Sequence, residues 1–245
     1  GRRFRRALDK ATKQKVVVLL KGGVTKGGTR AVAGHTGALA GSEVTWDSLC
    51  KQLGIIRVYS LDELADTLVT LLFMSPPRGR NVALIGSGGG ASVLITDEFE
   101  RRGLKVPPLP QEIRDRIRGF TPAAGNILRN PIDYSQTITE PEKLAKTTRI
   151  VCQWEGIDFI IGFLRPGQAP PSARVRRSQM AEGMLEVSKA ASKPMAIVLE
   201  PGILPEEARE VFSLRQKFVS SGLPVYYSFA SAANAIDLVL RYNGS

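Results

Sequence analysis

The chain contains one histidine, His35, and it lies in residues 34–41 (GHTGALAG). A neutral imidazole is a competent nucleophile near pH 7 and can carry a phosphoryl group. Glycine lets a backbone approach a ligand closely, so Gly34, Thr36 and Gly37 are candidates for supporting a reactive loop around His35. A turn with a solvated histidine explains the same residues, because loops hold both idle and functional side chains.

A second glycine-rich segment, residues 86–90 (GSGGG), follows an apolar run and precedes a helical pattern. The spacing of Gly86, Gly88 and Ala91 fits the G-x-G-x-x-A pattern of dinucleotide folds. That function needs an acidic residue about 20 positions later at a strand end. Glu112 has the required distance but follows three prolines in residues 107–110, and these prolines argue against a strand there.

The same glycines are also suited to a simpler anion site. Free backbone N–H groups and the dipole at the start of a helix attract phosphate without a cationic side chain. Glycines that merely permit tight packing of strand against helix are a third interpretation. Four residues are the candidates for phosphate binding: Gly88, Gly89, Gly90 and Ala91.

The first part of the chain predicts a strand, a loop and two helices around His35. Residues 15–20 (KVVVLL) predict a strand buried on both faces. A long glycine-rich loop is expected to follow it and to include His35. Ser42 is expected to cap a helix that Gly54 ends, and Ser60 to cap another after a short strand.

Residues 74–80 (MSPPRGR) predict a linker, which divides the chain into domains 1–78 and 79–245. Beyond the linker, strand and helix patterns alternate, which predicts a parallel sheet covered on both faces. The fold class is therefore α/β, with two doubly wound domains of which the first is expected to be incomplete at its N-terminus. Residues 130–133 (NPID) form a polar cluster that positions a ligand or makes an Asx turn.

The amino-acid composition indicates which kinds of molecule the protein binds and in which cellular compartment it is expected. The 34 Lys+Arg and 23 Asp+Glu give a net charge of +11, which favours polyanionic partners, but no nucleic-acid-binding motif is present, so nucleic acid is disfavoured. No apolar run approaches the length of about 20 residues that spans a bilayer, and no membrane association is expected. The two cysteines stand far apart without metal-site spacing, which predicts reduced thiols, a cytoplasmic protein and no metal site.

The chain resembles the phosphohistidine segment of NDP-forming acyl-CoA synthetases, the family of the ADP-forming acetate–CoA ligases and of the succinyl-CoA synthetase alpha subunit. The similarity is clear to about Ser135 and looser afterwards. It is carried by residues 21–23 (KGG), 27–31 (GGTRA), 34–42 (GHTGALAGS), 46–47 (WD), 52–54 (QLG), 61–64 (LDEL), 88–89 (GG), 103–104 (GL) and 130–133 (NPID), with Asp97.

The resemblance implies an acid–thiol ligase in which His35 takes phosphate from an acyl phosphate and delivers it to ADP. It implies two flavodoxin-like domains, and it matches the helix beginning near Gly88–Ala91 to one of two helix amino termini that hold the phosphohistidine. It also implies CoA and ATP/ADP with Mg as cofactors of the complete enzyme, none of them bound tightly to this part. The expected partners are CoA-binding and ATP-grasp domains or subunits, acyl phosphate and inorganic phosphate.

Those partner domains are not in the sequence, so the chain is expected to be a fragment that does not turn over by itself. The alternative function is a non-catalytic, ligase-like module that regulates a fused acetyltransferase or another partner.

Overall fold

The computed structural model describes residues 1–36, 42–86, 92–121, 127–133, 141–164, 171–202 and 204–244. In these ranges the helices are α1 (Arg2–Thr12), α2 (Lys26–Thr36), α3 (Glu43–Leu53), α4 (Leu61–Phe73), α5 (Ser92–Arg101), α6 (Gln111–Arg118), α7 (Pro141–Gln153), α8 (Pro171–Ala190), α9 (Pro205–Ser220) and α10 (Phe229–Tyr242). The strands are β1 (Val18–Leu20), β2 (Ile56–Val58), β3 (Val82–Gly86), β4 (Ile127–Leu128), β5 (Ile132–Asp133), β6 (Phe159–Leu164), β7 (Met195–Leu199) and β8 (Val225–Tyr226).

The eight described strands form two sheets. The small sheet pairs β1 with β2 in parallel, with Val18 opposite Ile56. The large sheet has the order β4-β5-β3-β6-β7-β8. Its five parallel strands, numbered within the sheet, run 2-1-3-4-5, which is the flavodoxin-like order. The predicted α/β class with parallel, doubly wound sheets is therefore confirmed.

The large sheet is apolar because helices cover both of its faces. Every residue of β3, β6 and β7 is buried, as expected for continuous apolar runs in a parallel sheet. One face packs against α6, α7, α8 and α9, and the other packs against α5 and α10. Met74, in the expected linker, is buried in the second of these cores.

Two details of the predicted sheets are wrong. The strand expected over residues 15–20 is shorter, and all three residues of β1 are only half-buried, because a two-stranded sheet offers little surface to cover them. The large sheet is not purely parallel, since β4 pairs antiparallel with β5 at its edge. These two short strands lie where the sequence pattern indicated only a loop and a polar cluster.

Helix ends followed the predicted capping residues. The Ser42 hydroxyl accepts a hydrogen bond from the Thr45 amide, and the Ser60 hydroxyl accepts one from the Glu63 amide. Gly54 ends α3 with a φ of 63°, in the left-handed region that glycine adopts readily. These contacts fix where the helices that flank β2 begin and end.

The two sheets meet along α4. This helix contacts β1 on one side and α10 on the other. The hydroxyl groups of Thr70 on α4 and Tyr226 on β8 lie 2.8 Å apart and are buried. Farther along, Asp237 of α10 forms ion pairs with both Arg80 and Arg241. No helix in the described ranges is long and apolar enough to cross a membrane.

Candidate functional site

His35 lies in a helix rather than in the glycine-rich loop that the sequence predicted. Its backbone belongs to the last turn of α2, together with those of Gly34 and Thr36. The expectation of a loop over residues 22–36 is therefore wrong from Lys26 onward, and Gly34 and Thr36 are helical residues. Gly37, the third residue expected to support the loop, lies outside the described residues.

Local hydrogen bonds explain why a segment with three glycines is helical. The Thr25 hydroxyl accepts a hydrogen bond from the Gly28 amide at 3.1 Å, which is the contact of a helix N-cap. The Thr29 hydroxyl donates to the carbonyl of Gly23 at 3.0 Å. A Cβ atom on Gly28 would lie 3.1 Å from the Cα of Gly23, so the turn before α2 is closely packed.

Lys21, which precedes the turn before α2, is engaged within the protein. Its ammonium donates to the carbonyl of Gly22 and lies 5.6 Å from the ring centroid of Trp46. The Trp46 ring in turn packs edge-on against Phe4 of α1. Lys21 therefore contributes to the turn that precedes α2.

The glycine segment after β3 is described only at its two ends. Gly86 is the last residue of β3, and Ser92 begins α5. A Cβ atom on Gly86 would lie 2.3 Å from the carbonyl oxygen of Phe163 on β6, so glycine is required there by close packing between strands. Gly88, Gly89, Gly90 and Ala91 lie outside the described residues, and their phosphate-binding role stays a prediction.

The carboxyl end of β3 is the topological switch point of the large sheet. Its neighbours are β5 on one side and β6 on the other, and flavodoxin-like sheets bind ligands outside the carboxyl ends of such strands. The register sets Gly86 beside Asp133, which is buried at the end of β5. Asp133 is thus the described carboxylate nearest in register to the glycine segment.

The side chain of Asn130 bonds to backbone groups of β3 and of the segment after α5 rather than facing a ligand. Its side-chain amide donates to the carbonyl groups of Val82 and Pro107 at 2.7 and 3.0 Å. Its side-chain oxygen accepts a hydrogen bond from the Leu84 amide at 2.9 Å. Glu112, the alternative ribose ligand, is exposed in the first turn of α6 and not at a strand end, which removes the geometry that dinucleotide binding needs.

The sequence did not indicate a charged cluster on the small sheet. Arg57, on β2, is buried and forms an ion pair with Asp47 at 3.4 Å. The hydroxyl of Tyr59 donates to the same carboxylate at 3.3 Å, and the Arg57 guanidinium lies 5.2 Å from the Tyr59 ring centroid. Burial raises the pKa of the Tyr59 hydroxyl, and the charge of Asp47 raises it further, so this hydroxyl stays a donor.

These residues line one wall of a groove of about 630 Å³ between the small sheet and α10. The guanidinium groups on its two walls, Arg57 and Arg241, are engaged by Asp47 and Asp237. Among the side chains that the structure describes, no group of three or more histidine, cysteine, aspartate or glutamate residues is placed to hold a metal ion.

Comparison with known proteins identifies the region around His35. The family model described as "Succinyl-CoA ligase like flavodoxin domain" matches residues 1–71. This match contains β1, α2 and β2, and it includes the single histidine of the chain.

Curated relatives match almost the whole chain. The alpha subunit of ADP-forming acetate–CoA ligase II from Pyrococcus furiosus is 31% identical over 92% of this chain and 47% of its own length. The alpha subunit of ADP-forming acetate–CoA ligase I from the same organism is 34% identical over 99% of this chain and 50% of its own length.

A solved structure has the same fold. It is the dinucleotide-forming acetyl-coenzyme A synthetase 1 of Ca. Korarchaeum cryptofilum in complex with phosphate and ADP. It matches with a TM-score of 0.78 and 25% identity, over 99% of this chain and 50% of that one. Nearly the whole chain is thus homologous to the alpha subunits of ADP-forming acetate–CoA ligases, and it spans about half the length of the curated relatives it matches.

Proposed function

We propose that this chain is the phosphohistidine-bearing part of an ADP-forming acyl-CoA synthetase, an acid–thiol ligase, and that His35 accepts the phosphoryl group. One observation carries the proposal: the match to the succinyl-CoA ligase like flavodoxin domain covers residues 1–71 and so includes His35. The similarity of nearly the whole chain to acetate–CoA ligase alpha subunits supports the same function.

The proposed reaction is a phosphoryl transfer in two steps. An imidazole nitrogen of His35 attacks the phosphorus of an acyl phosphate, so a P–N bond forms while the P–O bond to the acyl group breaks and the carboxylate leaves. ADP then attacks the same phosphorus, and the P–N bond breaks as ATP forms. A covalent intermediate lets two separate sites share one phosphoryl group.

The polarity of the two helix ends supports a phosphate site before α5. The backbone of His35 lies at the carboxyl end of α2, where the helix dipole is negative and disfavours an anion. The amino end of α5 has the opposite polarity and follows the switch point of the large sheet. We therefore assign the phosphate site to Gly88, Gly89, Gly90 and Ala91, which directly precede α5.

The steps that use CoA and ATP require further domains. The curated relatives are about twice as long as the part of them that this chain matches. We propose CoA-binding and ATP-grasp domains or subunits as partners, and CoA, inorganic phosphate and ATP/ADP with Mg as the reactants they handle. We also propose that this chain itself consists of two domains, residues 1–78 and 79–245. Two buried free cysteines and the use of ATP and CoA favour the cytoplasm.

The test is phosphorylation of the complete protein, with its partner domains supplied in cis or in trans. With labelled ATP and Mg, we expect one acid-labile, base-stable phosphoryl group on the parent protein and none on His35→Ala. His35→Gln serves as a second variant that keeps a polar side chain. Full phosphorylation of His35→Ala, or a parent protein that is never phosphorylated, would contradict the proposal; the second result would favour a regulatory module.

A further inference from the structure

Arg57 is a charged residue in the middle of a strand, where an apolar residue is usual. Its side chain is only 7% exposed, and both neighbours on β2, Ile56 and Val58, are buried. Removing a guanidinium from water costs several kcal/mol, and ion pairing seldom returns more than that cost. A buried arginine is therefore weak evidence for stability, and its specific contacts are the better guide to its role.

The guanidinium of Arg57 joins three separate acceptors. Its Nη1 donates to the carbonyl of Leu19 and its Nη2 to the carbonyl of Lys21, both at 3.4 Å. Its Nε donates to the carboxylate of Asp47 on α3 at 3.4 Å. The planar fork of arginine suits such a set, because its five N–H donors point in fixed directions.

Two of these acceptors lie where the chain leaves the small sheet. Leu19 belongs to β1, and Lys21 is the first residue after that strand. The next residues form the packed turn in which Thr29 bonds to Gly23, and Thr25 caps the start of α2. Contacts that begin at Arg57 therefore continue without interruption to the helix whose last turn holds His35.

We propose that Arg57 is a positioning residue for His35: it fixes the carboxyl end of β1, and through it the start and direction of α2. This inference rests on the proposed function of His35. Asp47 orients the guanidinium from α3, and the Tyr59 ring covers its exposed side. A lysine at position 57 keeps the charge, but a single ammonium cannot reproduce the fork.

Arg80, two residues before β3 of the large sheet, provides a matched control. Its guanidinium also donates to two backbone carbonyls, Gly103 at 2.8 Å and Arg102 at 3.2 Å. It also pairs with a carboxylate, that of Asp237, which is 4% exposed. Arg80 thus makes the same kind of contacts as Arg57 but joins the segment before β3 to the turn after α5 and to α10.

The experiment compares Arg57→Lys, Arg80→Lys and the parent in the complete protein, well below the unfolding temperature of each. We expect Arg57→Lys to slow phosphohistidine formation by about 10- to 100-fold, the usual cost of a displaced reacting group. In the proposed reaction, an oxygen of inorganic phosphate attacks the carbonyl carbon of acyl-CoA, the C–S bond breaks and CoA leaves as acyl phosphate forms. His35 takes no part in this earlier step, so its rate should keep the parental value. Arg80→Lys should retain the parental rate in both steps.

A second measurement tests positioning without activity. Amide hydrogen exchange of this chain should be faster in residues 22–36 of Arg57→Lys than in the parent, with no change in β3 or β6. Asp47→Asn leaves Arg57 in place and should produce a weaker effect of the same kind, which keeps the test available if Arg57→Lys does not fold.

The possible failures are distinct. A parental rate of phosphohistidine formation in Arg57→Lys, or an equal loss in Arg80→Lys, would overturn the role of Arg57. A parent protein that is not phosphorylated on His35 would instead overturn the proposed function. In that case, unchanged exchange in residues 22–36 of Arg57→Lys would also remove the structural part of the inference.

Discussion

The small and large sheets are held together by different kinds of interaction. Helices cover both faces of the large sheet, and every residue of β3, β6 and β7 is buried. The small sheet has three half-buried residues in β1 and a described core of only Leu8, Cys50 and Ile55. Its β2 has a buried arginine at its centre.

This difference between the two sheets suggests that the large sheet stabilises the fold, while the small sheet positions the helix that contains His35. Apolar burial supplies free energy but has no direction, whereas a buried ion pair fixes geometry but returns little net free energy once the cost of desolvation is included. The large sheet therefore provides the stable frame. The small sheet, which leads directly into the helix with His35, depends on a few directed contacts that single substitutions can change.

The largest expected effect comes from matched leucine truncations in the two sheets. Leu84, on β3, is fully buried, and Leu84→Ala should lower the free energy of unfolding by about 3–5 kcal/mol because it leaves a cavity. Leu19, on β1, is half-buried, and Leu19→Ala should cost only about 1 kcal/mol. Urea denaturation measures both values.

The two tryptophans of the chain provide a separate signal for each sheet. Trp46 lies on α3 and Trp154 directly follows α7, so Trp46→Phe and Trp154→Phe variants isolate one probe at a time. Equal losses of free energy for the two leucine variants would contradict the difference between the sheets.

The elements of the large sheet were predictable from sequence because burial on both faces leaves a strong pattern. The runs in β6 (FIIGFL) and β7 (MAIVL) are continuous and apolar, and this pattern is typical of strands buried on both faces. The caps Ser42 and Ser60 were predictable for a local reason, since a side chain bonds an amide three residues later.

The features that were missed depend on contacts between distant residues or have a weak local signal. Nothing near Arg57 in sequence indicates that its partners include carbonyls 36 and 38 residues away. Strands β4 and β5 have two residues each, too few for a periodic pattern. Helix α2 was missed for a local reason, because the low helix propensity of its three glycines outweighed the cap by Thr25.

Substitution of Gly34 tests whether the segment before His35 is a helix or a loop. The backbone of Gly34 is helical, and in the described residues nothing lies within 4 Å of a Cβ atom added there. Gly34→Ala should therefore raise the free energy of unfolding by about 0.5–1 kcal/mol, the usual gain for alanine over glycine inside a helix. Thermal and urea denaturation of this chain measure the change.

Gly54→Ala is the matched control. Open space also surrounds Gly54, but its φ is 63°, so alanine there should cost about 1–2 kcal/mol of left-handed strain. A higher free energy of unfolding in Gly34→Ala together with a lower one in Gly54→Ala would support a helical conformation at Gly34. A loss of stability in Gly34→Ala would favour the loop that the glycine pattern indicates.

The smallest expected effect concerns α4, which contacts both sheets. Asp66 of this helix accepts a hydrogen bond from Ser231 on α10, and burial raises the pKa of its carboxyl group above the ordinary value. The charge of Asp62 also raises this pKa, while the Ser231 hydrogen bond and the charge of Arg215 lower it. A raised pKa in the folded state means that protonation of Asp66 favours folding.

The sign of the pH dependence follows from that shift. The stabilising effect of protonating Asp66 is complete below the ordinary aspartate pKa of about 3.9 and is lost as the pH rises through the raised value. The non-titrating variant Asp66→Asn should therefore gain stability relative to the parent over this interval, as measured by urea denaturation from pH 4 to 8. Because the Ser231 hydrogen bond lowers the pKa, the same gain should occur at higher pH in a Ser231→Ala background. A gain that does not move in that background would show that the contact between α4 and α10 does not control this carboxylate.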